Sequence, residues 1–296
     1  MRLIASLLVG VLLATARPAD GQPQARSRAP IVVTDVRGVS VTLREPPRRI
    51  VSLAPAVTEI LFAIGAGSNV VGVTAFCDYP KAARRLPRVG DLNVSAEKVL
   101  GLKPDLVIGD VEANRKSIAL LERLAPLKGR LFVVAGKDFR EIFAAVESVG
   151  RVTGRAAEAA RSVARMKRTL AQIRAQVARS GARPRTVFVV QTEPLWLAGS
   201  GTFIDDLITA AGGQNLGRMA GRGYRSFSLE RLIALSPDVI VSSDASLRSL
   251  RGKAGWNALA AVRAGRVYVL GYDAVRPGPR LAEAVVQLHR WLHPRP

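Results

Sequence analysis

Cysteine and histidine are scarce in this sequence, and their scarcity limits the chemistry that the chain can perform. Cys77 is the only cysteine among 296 residues, so no disulfide can form within the chain, and a lone cysteine is most often small apolar filler in a core. The two histidines, His289 and His293, stand four residues apart, a spacing that can share a metal ion, but no Glu stands between them. Ser-His or Cys-His catalysis would need these same histidines, and no Gly-x-Ser-x-Gly elbow or phosphate loop is present. We predict no catalytic residues, no metal site and no resident cofactor; an exported α/β hydrolase is the alternative.

Acidic and aromatic residues are also few. Asp and Glu number 23 against 44 Lys and Arg, and the formal net charge is +21. Aromatic residues make up 5% of the chain and no basic run is longer than two residues, whereas nucleic-acid-binding proteins cluster their basic residues. The composition therefore predicts no nucleic-acid partner, and leaves attraction to anionic lipid head groups or to an acidic partner open.

The apolar run near the N-terminus, residues 3–13, is too short to cross a bilayer, since a spanning helix needs about 20 residues. It follows Arg2 and precedes the small residues Ala14, Thr15 and Ala16, the pattern of a secretory signal. We predict a signal peptide over residues 1–22, a tail and short strand pair over 23–48, and a soluble periplasmic protein. A retained membrane anchor is the alternative, and no lipid anchor is expected because no cysteine closely follows the run.

From residue 49 onward, short apolar runs alternate with helix-like segments. "RIVSLA", "VVGVT", "DLVIGD" and "RLFVVA" are predicted strands, and residues 114–125 and 139–152 are predicted helices. The pattern restarts after residue 183 with "TVFVVQ", "FIDDLITAAGG", "RVYVLG" and a last helix over residues 281–292. Such alternation indicates parallel sheets covered by helices. We predict an α/β fold with an N-terminal lobe over residues 49–152 and a C-terminal lobe over 183–296.

One long helix is predicted between the lobes, over residues 153–182. Thr153 is its possible cap and Gly181 its stop. Its apolar positions are spaced four and three residues apart and form one stripe: Ala159, Val163, Met166, Leu170, Ile173 and Val177. A helix of roughly 40 Å with a single stripe can lie across both lobes and join them as a stiff rod.

One phrase occurs twice, as "SAEKVLGLKPDLVI" from Ser95 and "SLERLIALSPDVIV" from Ser228, 133 positions apart. Each serine is predicted to cap a short helix, with Glu97 or Glu230 in the first turn, where a carboxylate meets the positive end of the helix dipole. A proline then ends the helix, and an Asp-led apolar run forms the next buried strand. The two glutamates either stabilise only their own helices or present two equivalent carboxylates to a partner.

Several segments in combination resemble the substrate-binding proteins of ABC importers for cobalamin, ferric siderophores and haem. They are "RIVSLAPAVTEILFAIGAG", "VVGVTAFCDYP", "PRVGDLNVSAEKVLGLKPDLVI", the long helix and "RPGPR". The resemblance implies a class III periplasmic binding protein, in which two Rossmann-like lobes with parallel sheets are joined by one long interdomain helix. It also implies a ligand cleft, no enzymatic activity and a membrane permease as partner, and we expect a monomer.

The resemblance places ligand contacts on loops at the carboxyl ends of the strands in both lobes. The residues that it implies are Ala54, Pro55, Ala56, Asp78, Tyr79, Leu92, Trp196, Phe203, Tyr224, Asp273 and Arg276. Leu92 stands where B12-binding relatives carry a tryptophan, and each aromatic has an alternative as core or loop filler. Glu97 and Glu230 fall where the family has one acidic residue per lobe that pairs with permease arginines.

The expected ligand is a bulky, metal-containing small molecule. A cobalamin or related corrinoid leads, because "CDYP" followed by "PRVG" resembles that branch of the family. A ferric siderophore or haem is the alternative, since abundant arginine suits carboxylate or catecholate oxygens. For haem, Tyr79 or Tyr224 is the expected axial ligand.

Overall fold

A computed structural model describes residues 29–91, 93–271 and 275–294. The predicted signal peptide lies outside these residues. The described chain opens with the predicted strand pair, an antiparallel hairpin of β1 (Ile31–Thr34) and β2 (Ser40–Leu43). Val33 and Val41 of the hairpin are buried in the core of the first lobe, so the hairpin packs as part of that lobe.

The first lobe contains a four-stranded parallel sheet in the order β4-β3-β5-β6. Its strands are β3 (Ile50–Ser52), β4 (Val70–Val73), β5 (Leu106–Asp110) and β6 (Leu131–Val134). Its helices are α1 (Pro55–Ala63), α2 (Ala96–Gly101), α3 (Arg115–Leu121) and α4 (Phe139–Val152). Most strand residues are buried on both faces, which is why the strands are near-continuous apolar runs in the sequence.

The predicted connecting helix is α5 (Ala156–Ser180), which ends at Gly181 in the left-handed conformation that favours glycine. Ala159 and Val163 pack into the first lobe's core, and Met166, Ile173 and Val177 pack into the second lobe's core. The helix therefore belongs to both lobes, as its single apolar stripe predicts. No helix within the described ranges combines the length and apolar character needed to cross a membrane.

Thr153 does not cap α5, and that part of the prediction was wrong. It is the C-cap of α4, where its hydroxyl donates to the Val149 carbonyl at 2.7 Å. Gly154, with φ of +69°, turns the chain between the two helices, and α5 begins after Arg155 without a side-chain cap. The spacing of apolar residues does not reveal this turn, because the same spacing continues from α4 into α5.

The second lobe has a mixed sheet in the order β10-β8-β7-β11-β12, with β9 also paired to β7. Its strands are β7 (Arg185–Thr192), β8 (Leu195–Ala198), β9 (Gln214–Asn215), β10 (Tyr224–Ser226), β11 (Val239–Ser242) and β12 (Val267–Val269). Its helices are α6 (Phe203–Ala210), α7 (Leu229–Leu235), α8 (Ala260–Arg263) and α9 (Leu281–Leu292).

The prediction of a purely parallel second sheet needs correction, because β8 and β10 run antiparallel to their neighbours. A two-residue turn at Glu193 and Pro194 returns the chain beside β7, so that Thr192 pairs with Leu195. The segment that contains Trp196 was predicted to be a ligand-contacting loop, and it forms the strand β8 instead.

The two copies of the repeated phrase form the same structure. The Ser95 hydroxyl accepts the Lys98 amide N–H and the Ser228 hydroxyl accepts the Arg231 amide N–H, each at 3.2 Å, as predicted. A residue with φ of +45° follows each helix: Lys103 comes two residues after the end of α2, and Ser236 directly follows α7. Within the described ranges these are the only two non-glycine residues with positive φ, and they stand 133 positions apart, like the serines.

The aspartates of the repeated phrase fasten the start of one strand to the next. The Asp105 carboxylate accepts the amide N–H groups of Arg48 and Arg49, at 2.9 and 3.0 Å, just before β3. The Asp238 carboxylate accepts the Arg185 amide N–H at 2.7 Å, at the start of β7. The same Pro-Asp pair thus aligns, in each sheet, the edge at which the parallel strands begin, which we call the amino edge.

Candidate ligand-binding cleft

A cavity of about 310 Å³ lies between the lobes, at the carboxyl ends of their parallel strands. Six of the predicted ligand residues line it: Ala54, Pro55, Ala56, Phe203, Tyr224 and Arg276. Eight other lining residues were not predicted from the sequence: Asp110, Ala113, Phe188, Val190, Ile204, Ser243, Val275 and Pro277. Both lobes contribute, so a ligand in this cavity would touch the two halves of the molecule.

Asn114 holds the floor of the cavity in place on the first lobe. Its amide nitrogen donates to the Leu53 carbonyl at 2.9 Å, and its side-chain oxygen accepts the Asp110 amide N–H at 2.9 Å. The ends of β3 and β5 are thereby joined by one buried side chain. Pro55 follows at the first position of α1, where proline is favoured because its missing N–H would have no helical partner.

Asp110 is the acidic residue of the cavity. Its carboxylate accepts the amide N–H groups of Glu112 and Ala113, at 2.9 and 2.8 Å. Burial raises the pKa of Asp110 above the usual range, an effect that these two hydrogen bonds oppose. The sequence could have indicated Asp110 as a cavity residue, because it is the last residue of a predicted buried strand.

Arg276 is buried in the wall of the cavity and joins the lobes. Its guanidinium donates to the Asp78 carboxylate at 2.6 Å, and its Nη1 lies 3.3 Å from the Glu59 carboxylate. The hydrogen bond from Arg276 lowers the pKa of Asp78 below its usual range. Asp78 and Glu59 belong to the first lobe and Arg276 to the second, so these ion pairs cross the cleft.

Glu59 is a second acidic residue that the sequence analysis missed. Its side chain is buried on α1 and also accepts from Arg280, at 2.7 and 2.9 Å. In the sequence, its position within the apolar stretch "AVTEILFAIGAG" could have indicated its role. A carboxylate buried in such a stretch needs a cationic or hydrogen-bonding partner. We call Glu59, Asp78, Arg276 and Arg280 the interlobe ion cluster.

Tyr79 and Trp196 lie outside the cavity. The Tyr79 ring is under the Arg280 guanidinium, 3.8 Å from the ring centroid, and lines a separate groove of about 750 Å³ between α1, α5 and α9. Trp196 is on β8, paired with Ser226 of β10, and is 37% exposed. The two other predicted contacts, Leu92 and Asp273, lie outside the described residues.

Glu97 and Glu230 are exposed in the first turns of α2 and α7. Neither carboxylate takes part in an ion pair within the described ranges. The structure thus places one uncompensated acidic residue at the same point of each lobe, as the repeated phrase implies.

His289 and Cys77 make structural contacts, and His293 packs against His289. His289 is buried with Nδ1 3.0 Å from the Ala211 carbonyl, and its ring lies 4.7 Å from that of His293. Cys77 is fully buried, 3.2 Å from the Thr74 hydroxyl. Across the described residues no group of three or more His, Cys, Asp and Glu side chains could hold a metal ion.

The fold and the cleft define a bilobal binding protein, in which two α/β lobes on one rod enclose a small-molecule site. The chain belongs to the periplasmic binding protein family, whose model matches residues 50–274. The family and its solved neighbours are substrate-binding proteins of transport systems, so the chain is not an enzyme, as predicted.

Three comparisons show how close the relatives are. The ABC transporter substrate-binding lipoprotein YvrC of Bacillus subtilis is 32% identical over 301 residues, covering 98% of this chain and 96% of the relative. The vitamin B12-binding protein of Vibrio cholerae is 29% identical over 250 residues, covering 83% and 90%. The solved haem-binding protein RhuT of Roseiflexus sp. RS-1 has a TM-score of 0.72 at 30% identity, covering 83% of this chain and 97% of that one.

Proposed function

We propose that this protein captures cobalamin or a related corrinoid in the interlobe cleft and delivers it to the permease of an ABC importer, after export by the signal peptide of residues 1–22. The observation that carries the proposal is the cavity at the carboxyl ends of the strands of both lobes. Relatives named vitamin B12-binding proteins, at 29% identity in Vibrio cholerae, support the choice of ligand.

The chemistry of the cleft suits a large ring with polar side groups. Most of the lining is apolar, with Phe188, Phe203 and Tyr224 offering aromatic surface to a flat macrocycle. Asp110 and Arg276 add one acidic and one cationic group that can orient polar substituents at the edge of the ring.

Titration of the purified protein with cyanocobalamin tests the ligand. We expect quenching of tryptophan fluorescence with sub-micromolar affinity. Tyr224→Ala should weaken binding about tenfold, because it removes an aromatic face from the cavity, whereas Trp196→Ala, outside the cavity, should leave the affinity unchanged. No response to cyanocobalamin, with saturable binding of haemin or a ferric siderophore instead, would overturn the corrinoid assignment.

Haem is the second candidate, and Tyr224 is the observation that favours it. A phenol in the cavity can bind ferric iron as an axial ligand. If haem is the ligand, Tyr224→Phe should abolish the absorption band of tyrosine-bound ferric haem. Tyr79→Phe should retain that band, because Tyr79 lines the neighbouring groove and lies under Arg280.

Docking on the permease is the proposed role of Glu97 and Glu230. Their exposure, their equivalent positions and the absence of ion pairs to described residues support it, since complementary charges fix the orientation of a complex. Reversing both charges, with Glu97→Arg and Glu230→Arg, should abolish uptake and leave ligand affinity unchanged. Unaltered uptake by the double variant would leave both residues with only a helix-stabilising role.

A further inference from the structure

The outer side of α5 carries a straight row of arginines. Arg161, Arg165, Arg168 and Arg179 are separated by four, three and eleven residues, which places all four on one side of a helix with 3.6 residues per turn. All four are exposed, on the side opposite the buried stripe. From Arg161 to Arg179 the row extends about 27 Å at 1.5 Å per residue. We call these four residues the arginine ridge.

Little on α5 neutralises this charge. The helix has six cationic side chains and one acidic residue, Glu158, whose carboxylate lies 3.4 Å from the Arg161 guanidinium. The other three ridge arginines form no ion pair with a residue in the described part of the chain. Apart from the cationic side chains, the exposed positions of α5 carry mainly alanine, with Gln172 and Gln176.

Further exposed arginines lie at the amino edges of the sheets, where the parallel strands begin. The helix α4 follows β6 and returns to the amino edge of the first sheet, and β7 begins five residues after α5 ends. Both ends of α5 therefore lie at the amino edges. Exposed arginines precede or begin strands at these edges, namely Arg49 before β3, Arg130 before β6 and Arg185 in β7. The cavity lies at the carboxyl edges, between the lobes, and Arg165 also lines the groove between α1, α5 and α9.

We propose that the arginine ridge, with the adjoining amino edges, binds the surface of a bilayer that contains anionic phospholipids. Guanidinium groups bind phosphate oxygens with two parallel hydrogen bonds, and a rigid row of charges matches a flat anionic surface. No large apolar side chain is exposed on α5, so the contact is electrostatic and falls with rising salt.

The same face fits other polyanions less well. Single-stranded nucleic acid is held by exposed aromatic side chains as well as by cations, and α5 exposes none. A protein interface of useful affinity is centred on apolar or aromatic anchors, which the ridge also lacks.

Co-sedimentation with lipid vesicles tests this proposal on the full mature protein. The ridge variant carries Arg161→Gln, Arg165→Gln, Arg168→Gln and Arg179→Gln. The control variant removes four exposed cations elsewhere, with Lys81→Gln, Arg85→Gln, Lys98→Gln and Arg140→Gln, so that both variants have the same net charge. Glutamine is a good helix former, and circular dichroism and ligand affinity check that both variants are folded.

We expect wild type and control to bind phosphatidylcholine vesicles that contain phosphatidylglycerol, and neither to bind pure phosphatidylcholine. Each charge near the surface contributes about fivefold, so the ridge variant should bind between about 100-fold and 1,000-fold more weakly. Three results would overturn the proposal: no binding by wild type, an equal loss in both variants, or a ridge variant that loses binding to single-stranded DNA while keeping its binding to vesicles. None of them depends on which ligand the cleft takes.

Discussion

At the scale of single residues, two ion pairs between the lobes meet at the carboxylate of Glu59. Two guanidinium groups from the second lobe, those of Arg276 and Arg280, donate to it, and its side chain is 2% exposed. A carboxylate removed from water in this way is stable only while its cationic partners remain. The interlobe ion cluster therefore makes this contact between the lobes depend on one buried charge.

Glu59→Gln should lower the free energy of unfolding by about 3 kcal/mol or more, because it leaves two buried or half-buried guanidinium groups short of a partner. Guanidinium chloride unfolding measures this change. The matched control is Glu112→Gln, which breaks an exposed ion pair with Arg115 and should cost less than about 1 kcal/mol. Equal losses in the two variants would contradict the role given to the cluster.

His293 makes stability depend on pH. Burial, together with the neighbouring His289, lowers the pKa of His293 below its ordinary value of 6.5. The unfolded chain then takes up a proton at a higher pH than the folded chain does. The free energy of unfolding is therefore expected to fall as the pH drops below 6.5, through the folded-state pKa. His293→Gln cannot take up this proton, so denaturation curves at pH 8 and pH 5 should differ less for the variant than for wild type; an unchanged difference would contradict the assignment.

The sequence could indicate individual cavity residues only where they follow a predicted strand or begin a predicted helix. Ala54, Pro55, Phe203 and Tyr224 were found in this way or through the family resemblance. Phe188 and Val190 were missed, because alternate residues of a strand face opposite sides of the sheet and the sequence does not show which side meets the cleft. Glu59 was missed because its partners lie more than 200 residues away.

At the scale of elements, the repeated helix-to-strand unit explains why the lobes are alike. The serine caps, the left-handed residues Lys103 and Ser236, and the Pro-Asp pairs recur at the same spacing. The sequence could predict this unit well, since capping and proline termination act within a few residues. It could not predict the left-handed residues, because neither lysine nor serine favours positive φ.

Removing the two aspartates of the repeat should have unequal effects. Asp105→Ala loses two hydrogen bonds from backbone amides and Asp238→Ala loses one. At about 1 kcal/mol per bond, we expect losses of about 2 and about 1 kcal/mol in the free energy of unfolding. Urea denaturation of the two variants measures these losses, and each is the other's control. A larger loss for Asp238→Ala would show that the bonds do not set the stability of these strand edges.

The elements that were not predicted correctly are those whose structure is not determined by residues close to them in the sequence. The strand β8 pairs with β7 through a two-residue turn, and β10 pairs with β8 across more than twenty residues. Both are short, and pairing of distant strands is decided by the whole sheet rather than by local preference. The long helix α5, in contrast, was predicted with bounds within three residues at its start and two at its end, because its stripe persists over about five turns.

At the scale of the whole molecule, the cavity and the arginine ridge lie on different elements. The cavity lies at the carboxyl edges of the two sheets, and the ridge runs along the exposed side of α5, with Arg165 also lining the groove beside the interlobe ion cluster. The sequence predicted the rod and the two lobes, since connectivity alone places a helix between two repeating units. It could not predict the distribution of charge, because scattered arginines meet on one face only after folding.

Hydrogen–deuterium exchange with and without saturating cyanocobalamin tests whether the two lobes enclose the ligand between them. We expect protection at the same time in the first lobe, around residues 53–57 and 110–114, and in the second lobe, around residues 188–190, 203–207 and 224–226. Protection confined to one lobe, or to the groove between α1, α5 and α9, would contradict it.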